Sequence, residues 1–191
     1  MPAPKKINVP SDYYEQIRLQ LQRRIVRALR LARHIADFGC GNCELSQYLA
    51  QALHQNVIGI DISKNSLPKK KHEFPNIKLR CICHNAERLS FLKKESMDAV
   101  VMKYALHEMT QPHKILKEAY RIIRPGGTIL IVEFPKDSLA QKLWNEDYFT
   151  PNQLRKMLKN AGFCEVKVKL LFQSQIEWAQ GWKPTIRGQT R

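Results

Sequence analysis

A chain of 191 residues suits one domain and is long enough to bury a sizeable core. Apolar residues make up 43%, which excludes a disordered chain, and no apolar run reaches the roughly 18 residues of a membrane span. The net charge of +15 asks for a polyanionic partner, an acidic substrate or only a solubilising surface, so a nucleic-acid partner stays open.

Met1 to Pro10 is Pro-rich and basic, and reads as a flexible N-terminus without the apolar core of a signal peptide. Asp12, with Glu15 three residues on, resembles a helix start. Tyr14, Ile17, Leu21, Ile25 and Ala28 then recur at helical spacing, with Arg18, Arg23, Arg24, Arg27 and Arg30 interleaved. This predicts an amphipathic helix whose arginines face water or an anionic partner. The chain then runs from His34 through an apolar strand into Asp37-Phe38-Gly39-Cys40-Gly41, a turn with two glycines, before a helix over Glu44–Leu53. Strand, glycine turn and helix bring backbone close to a nucleotide-like ligand. Glu44 replaces the last glycine of G-x-G-x-x-G, and Asp37 is a residue that a pyrophosphate would repel. A carboxylate suits a cationic or hydroxylated ligand better.

The stretch Asn56 to Ser63 reads as a buried strand ending in a carboxylate, Asp61, 20 residues beyond Gly41. An acid there can accept both ribose hydroxyls. Ser63 to Phe74 is a polar helix or loop with the solvated run Lys69-Lys70-Lys71. Ile77–Cys83 alternates as a third strand, followed by Asn85, either a turn residue or a partner for a ring nitrogen. Met97–Tyr104 is a fourth, buried strand leading to His107. Pro112 opens a helix through Ile123, and Arg124-Pro125-Gly126-Gly127 turns into a fifth strand, Thr128–Phe134. Pro135–Thr150 is irregular, either a lid or plain packing. Pro151–Asn160 is a helix, and Phe163–Phe172 and Ile176–Trp182 form an antiparallel pair. A single domain over residues 11–184 with a polar tail at 185–191 follows. The expected fold is α/β, Rossmann-like and doubly wound, with a mostly parallel seven-stranded sheet and a C-terminal antiparallel pair. Right-handed crossovers put Asp37, Asp61, Asn85, Lys103 and Glu133 along one edge, where a ligand is expected.

The order of these segments resembles a class I S-adenosylmethionine-dependent methyltransferase, of the methyltransferase type 11 domain. Asp37-Phe38-Gly39-Cys40-Gly41 is similar to the family's first motif and Gly59-Ile60-Asp61-Ile62-Ser63 to its second. Asn85-Ala86-Glu87-Arg88-Leu89, Asp98 to Glu108 and Arg121 to Gly127 are similar to the later ones. Ile131-Val132-Glu133-Phe134 and Gly181-Trp182-Lys183-Pro184 add a distant likeness to quinone-biosynthesis methyltransferases. The chain departs from the pattern at Asn85, where Asp is more usual, and at Cys43, where a third glycine is usual. The resemblance implies S-adenosylmethionine as cofactor. It implies that Gly39, Cys40 and Gly41 lie under its methionine and ribose and that Asp37 receives its amino group. Asp61 would hold the ribose hydroxyls and Ile62 the adenine face, with Asn85 and Ala86 at the adenine edge and Lys103 at the methionine end.

Methyl transfer from a sulfonium is a direct displacement that needs alignment more than catalytic side chains. A phenol, enol or carbon acceptor still benefits from a base. His107, just past the fourth strand, is the candidate base, set against a structural histidine. Tyr14 is a candidate cover over the cofactor, set against core packing. The five cysteines, Cys40, Cys43, Cys81, Cys83 and Cys164, lack the look of a disulfide framework. Buried packing in a reducing cytoplasm is therefore expected, and their spacing is not that of a zinc site, so no metal is expected. Three functions remain: a small-molecule methyltransferase, an RNA or tRNA methyltransferase, and a non-catalytic cofactor-binding partner subunit.

Overall fold

The computed structural model describes residue 10, residues 12–69 and residues 78–185. Seven strands form one sheet: β1 (His34–Phe38), β2 (Asn56–Asp61), β3 (Leu79–Cys83), β4 (Met97–Lys103), β5 (Ile123–Glu133), β6 (Cys164–Leu171) and β7 (Ile176–Trp182). Among the described residues, five α-helices accompany them: α1 (Tyr13–Leu29), α2 (Glu44–Leu53), α3 (Pro112–Ile122), α4 (Leu139–Trp144) and α5 (Pro151–Ala161). The strand order is β3-β2-β1-β4-β5-β7-β6. Strands β1 to β5 pair in parallel, and β7 runs antiparallel between β5 and β6. The expected doubly wound sheet and its antiparallel pair are both present.

Successive residues of a strand face opposite sides, and each side of the sheet carries its own core. Ile35, Val101, Leu130 and Val132 meet Ile17, Leu21 and Ile25 of α1 and Leu45 and Leu49 of α2. Ala36, Phe38, Val100, Ile129 and Ile131 meet Leu116 and Ala119 of α3 and Leu154 and Leu158 of α5. The alternating apolar side chains of β1, β4 and β5 are thus divided between two helix layers. Helix α5 starts where a capping box forms between Thr150 and Gln153, with Pro151 at its first turn. It stops at Gly162, whose φ of 110° is open to glycine.

Local differences from the sequence reading have physical reasons. Asp12 precedes α1 but its side chain makes no cap bond; its carboxylate accepts from Gln16 Nε2 at 3.1 Å instead. Strand β5 begins at Ile123 rather than Thr128, because Ile123 already pairs with Met97 before the Arg124–Gly127 turn bulges out of register. The irregular stretch before α5 contains α4, capped by Ser138, whose Oγ accepts from Gln141 N. The flexible N-terminus up to Val9, most of the lysine run and the start of the third strand at Ile77, and the tail beyond Thr185 lie outside the described residues.

The cysteine reading is corrected. Cys43 and Cys81 are joined by a disulfide, with Cα atoms 6.5 Å apart, and Cys40, Cys83 and Cys164 are free. Cys81 pairs in register with Gly59 of β2, and Cys43 lies directly above that glycine. A Cβ on Gly59 would come within 2.9 Å of both the Cys40 and Cys43 sulfurs, so the missing side chain leaves room for those two sulfurs. Residues 38 positions apart in sequence meet only through β2–β3 pairing, which spacing does not reveal. Cys83, two residues on, is exposed and donates to the Ile62 carbonyl at 3.4 Å.

Candidate active site

The sheet order reverses between β1 and β4, and α/β folds bind ligands at such a switch point, outside the strand C-termini. A hollow of about 410 Å³ opens there. Gly39, Gly41, Asp61, Ile62, Asn85 and Ala86 line it, as the sequence reading expects. Its other wall includes Tyr104, Glu108 and Met109, just past β4. The volume falls in the range of small-molecule cofactor sites.

The glycine turn is held from below. The Gly39 and Cys40 amides donate to the Ile60 carbonyl at 2.8 and 3.2 Å, and the Gly41 amide donates to Asp61 Oδ2 at 2.8 Å. Gly39 has φ 69°, and a Cβ there would overlap that of Ala105. Gly41 has φ 51°, and a Cβ there would meet nothing within 4 Å and would project into open space. Asp61 accepts one backbone bond on each oxygen, the second from Ser63 N at 2.9 Å. Each oxygen keeps a lone pair for a hydroxyl of a bound ribose. Asn85 accepts from the Glu87 amide at 2.8 Å through its carbonyl, which turns its amide group to service as a donor. Both readings of Asn85, turn residue and site residue, are therefore compatible with its geometry.

Asp37 lies beneath the turn, 1% exposed, and accepts from Ser46 Oγ at 2.7 Å. Burial pushes its carboxyl up to about 7; the Ser46 bond and the Lys103 charge only partly oppose that, and Asp61 adds to it. Such a group gains most from an arriving cation. Lys103 sits beside it, with its amine pulled down by burial against the charges of Glu44 and Asp37. Its Nζ lies 4.8 Å from the Tyr104 ring centroid. The donor set of Asp37, Asp61 and Asn85, around a turn too tight for side chains, fits a ligand with an ammonium group, a ribose and an adenine, and offers no cation cluster for a pyrophosphate. Asp37, Cys40 and Lys103 stand behind the lining rather than in it. The Cys40 sulfur points to Cys43 at 3.4 Å, so only its backbone serves the turn.

Tyr14 does not line the hollow. Its hydroxyl donates to Gln175 Oε1 at 3.2 Å and accepts from the Ala140 amide at 2.8 Å, and its ring lies against Phe134 and Trp144. It ties α1 to α4 and to the β6–β7 turn. His107 occupies the 3-10 turn Leu106–Glu108. Its Nδ1 is 2.8 Å from Glu133 Oε2 and its Nε2 is 3.0 Å from Glu146 Oε2. Burial pulls the imidazole down, but the bonds to Glu133 and Glu146 outweigh it and hold the ring above its ordinary range. Glu133 is fully buried and also accepts from the Ala105 and Leu106 amides at 3.1 and 2.7 Å, which fixes the turn carrying the histidine.

Sequence reading placed Glu133 at the strand edge but did not pair it with His107, and it did not single out Glu108 or Glu146. No periodicity links these residues; the β4–β5 register and the loop after α4 bring them together. The nearest ligand atoms of His107, Glu108 and Glu146 lie within 4.8 Å of one another. Burial, with the charges of Glu146 and Glu133, raises the Glu108 carboxyl, while His107 lowers it. Across the sheet, Glu177 pairs in register with Glu133 and is fully buried. Burial, then the Glu133 charge, pushes its carboxyl up to about 8, so it is mainly neutral at pH 7.

The methyltransferase domain family model matches residues 36–131, which runs from β1 into β5. The chain belongs to this family. Among relatives of this methyltransferase, the demethylmenaquinone methyltransferase of Oceanobacillus iheyensis is 27% identical over 168 residues, covering 70% of each chain. The ubiquinone/menaquinone biosynthesis C-methyltransferase UbiE of Campylobacter jejuni is 31% identical over 121 residues, 60% of this chain and 50% of its own. The chain thus spans from half to about two thirds of these relatives' length. A SAM-dependent methyltransferase from Archaeoglobus fulgidus shares the fold, with a TM-score of 0.72 at 16% identity over 90% of this chain and 98% of its own. The methyltransferase uses S-adenosylmethionine, and the residues around the hollow suit it. No helix among the described residues is long and apolar enough to cross a membrane.

Proposed function

We propose that this methyltransferase methylates a small-molecule acceptor of the phenol or quinol kind, with His107 as general base. The observation that carries this reading is the Glu133–His107 pair, which stands behind the lining of the hollow and holds His107 next in sequence to Glu108 of its wall. S-adenosylmethionine, when bound, supplies a methyl group on a sulfonium, ready for displacement. The protein's own residues do the rest. Asp37 receives the ammonium charge, and Asp61 holds the ribose hydroxyls. Asn85 and Ala86 meet the adenine edge, and Ile62 its face. Glu133 holds Nδ1–H and stabilises the imidazolium, so Nε2 can take a proton from an acceptor hydroxyl once Glu146 yields that nitrogen. Glu146 is half-exposed and follows α4, so it can move without opening the core. Loss of the hydroxyl proton leaves an electron-rich oxygen or ring carbon to attack the methyl group. The named activities of the quinone-biosynthesis relatives fit this acceptor chemistry.

The test is transfer of a labelled methyl group from S-adenosylmethionine in cell extract and to purified quinols. Label is expected in organic-extractable small molecules. Substitution His107→Ala is expected to lower turnover by about 10²- to 10⁴-fold with cofactor affinity kept. Label confined to RNA would replace this reading with RNA methylation, and cofactor binding without turnover on any fraction would favour a partner-subunit role.

A further inference from the structure

A second concavity lies far from the cofactor hollow. It is a groove of about 310 Å³ between α1 and the outer strands β6 and β7. Arg24, Arg27 and Arg30 line one side, and Lys167 and Lys169 the other, over a floor that includes Trp178. Among the described residues, no carboxylate lines it. All five cations are exposed, and none makes an ion pair among the described residues. Two rest on aromatic rings instead: Arg24 lies 5.5 Å from the Trp178 ring centroid and Lys167 5.2 Å from that of Trp182. Those contacts hold the cations in place without neutralising them. Five like charges facing one another across a groove repel, and a bound anion removes that repulsion.

The arrangement is linear. The arginines recur every third residue, a rise of about 4.5 Å each along the helix. The lysines are two apart on one strand face, about 7 Å from each other. Two facing rows of cations match a chain of phosphates running between them. The groove also lies toward the far end of α1: Arg27 is thirteen residues, about 20 Å of helix, beyond Tyr14 at the end beside Phe134. A membrane docked there would leave the cofactor hollow, at the strand C-termini, facing away from it.

We propose that this groove binds the phosphodiester backbone of a single-stranded nucleic acid, as an anchoring site separate from the methyl-transfer site. Its ligand is held through phosphates and not read by base. The proposal does not depend on the identity of the methyl acceptor.

Binding of the full chain to a fluorescent single-stranded RNA of about twenty nucleotides, measured by anisotropy over a salt series, tests it. Five phosphate contacts predict a slope of log K against log salt of about −3.5, at about 0.7 per contact. Arg27→Glu with Lys169→Glu is expected to weaken binding by at least about 10-fold and to reduce the slope by about 1.4. The control Lys114→Glu with Lys117→Glu makes the same charge change on the exposed face of α3 and is expected to stay within about 2-fold. Arg30→Glu with Lys167→Glu replaces the first pair should that variant not fold, as read by circular dichroism. Equal weakening by groove and control pairs would assign the effect to net charge and overturn the proposal. So would tighter binding to anionic phosphatidylglycerol vesicles than to RNA.

Discussion

His107 Nδ1 and Glu133 Oε2 are 2.8 Å apart, and the same carboxylate accepts the backbone amides that begin the histidine's own turn. One buried group therefore fixes the position of the ring and, with Glu146, favours its protonation. The imidazolium is favoured in the folded protein, so a reaction that needs neutral His107 should rise with pH through a value above the usual histidine range. Glu133→Gln removes the charge that favours the imidazolium. The pH limb of kcat should move to lower pH, with S-adenosylmethionine affinity unchanged. A limb that stays in place would show that His107 is not the titrating base.

Asp37 makes an opposite prediction about stability. Its folded carboxyl titrates near 7, well above its unfolded value. The folded state therefore holds a proton that the unfolded state has lost between pH 4 and 7. Its contribution to stability is fully present below about pH 4 and falls as pH rises to 7, by about 4 kcal/mol in total. Asp37→Asn should flatten this part of the urea-unfolding profile; Glu177 titrates in the same direction and remains in the variant. With Asp37 as the proposed partner of the cofactor's ammonium group, calorimetry at pH 6 in two buffers should detect release of close to one proton on cofactor binding, lost in Asp37→Asn. No buffer dependence would remove Asp37 from the cofactor site.

The two turn glycines should respond differently to alanine. Gly39→Ala places a methyl group on Ala105 and forces a positive φ, so unfolding should be easier by about 2–3 kcal/mol. Gly41→Ala meets no atom, so the stability loss should be nearer 1 kcal/mol. Its methyl group projects into the ligand space, and cofactor affinity should fall more than stability does. Thermal unfolding with and without cofactor separates the two.

The Cys43–Cys81 disulfide closes the glycine turn onto β3. Of five cysteines, three are free, so three thiols should titrate in denaturant without reductant and five with it. In the folded protein Cys83 and Cys164 should react first. Cys40 should lag, because burial and the Asp37 and Asp61 charges push its thiol up. Reduction should lower stability by about 3–4 kcal/mol, as expected for a crosslink closing a loop of this length. Five reactive thiols before reduction would count against the crosslink.

Much of the molecule was legible in its order of residues. Alternating apolar runs, the glycine turn, Asp61 and the proline-started helices are local patterns, and periodicity and turn chemistry act within a few residues. They determined the α/β class, the position of the cofactor turn and the carboxylates that suit a cationic, ribose-bearing ligand. The tertiary structure alone decided which distant residues meet. Glu133 reaches His107 because β5 lies beside β4, and Cys81 reaches Cys43 because β3 pairs with β2 at Gly59. Arg27 faces Lys169 because β7 inserts between β5 and β6 and leaves the outer strands beside α1. Each of these contacts depends on strand order and register, which are set by packing of the whole sheet and leave no signature in local spacing.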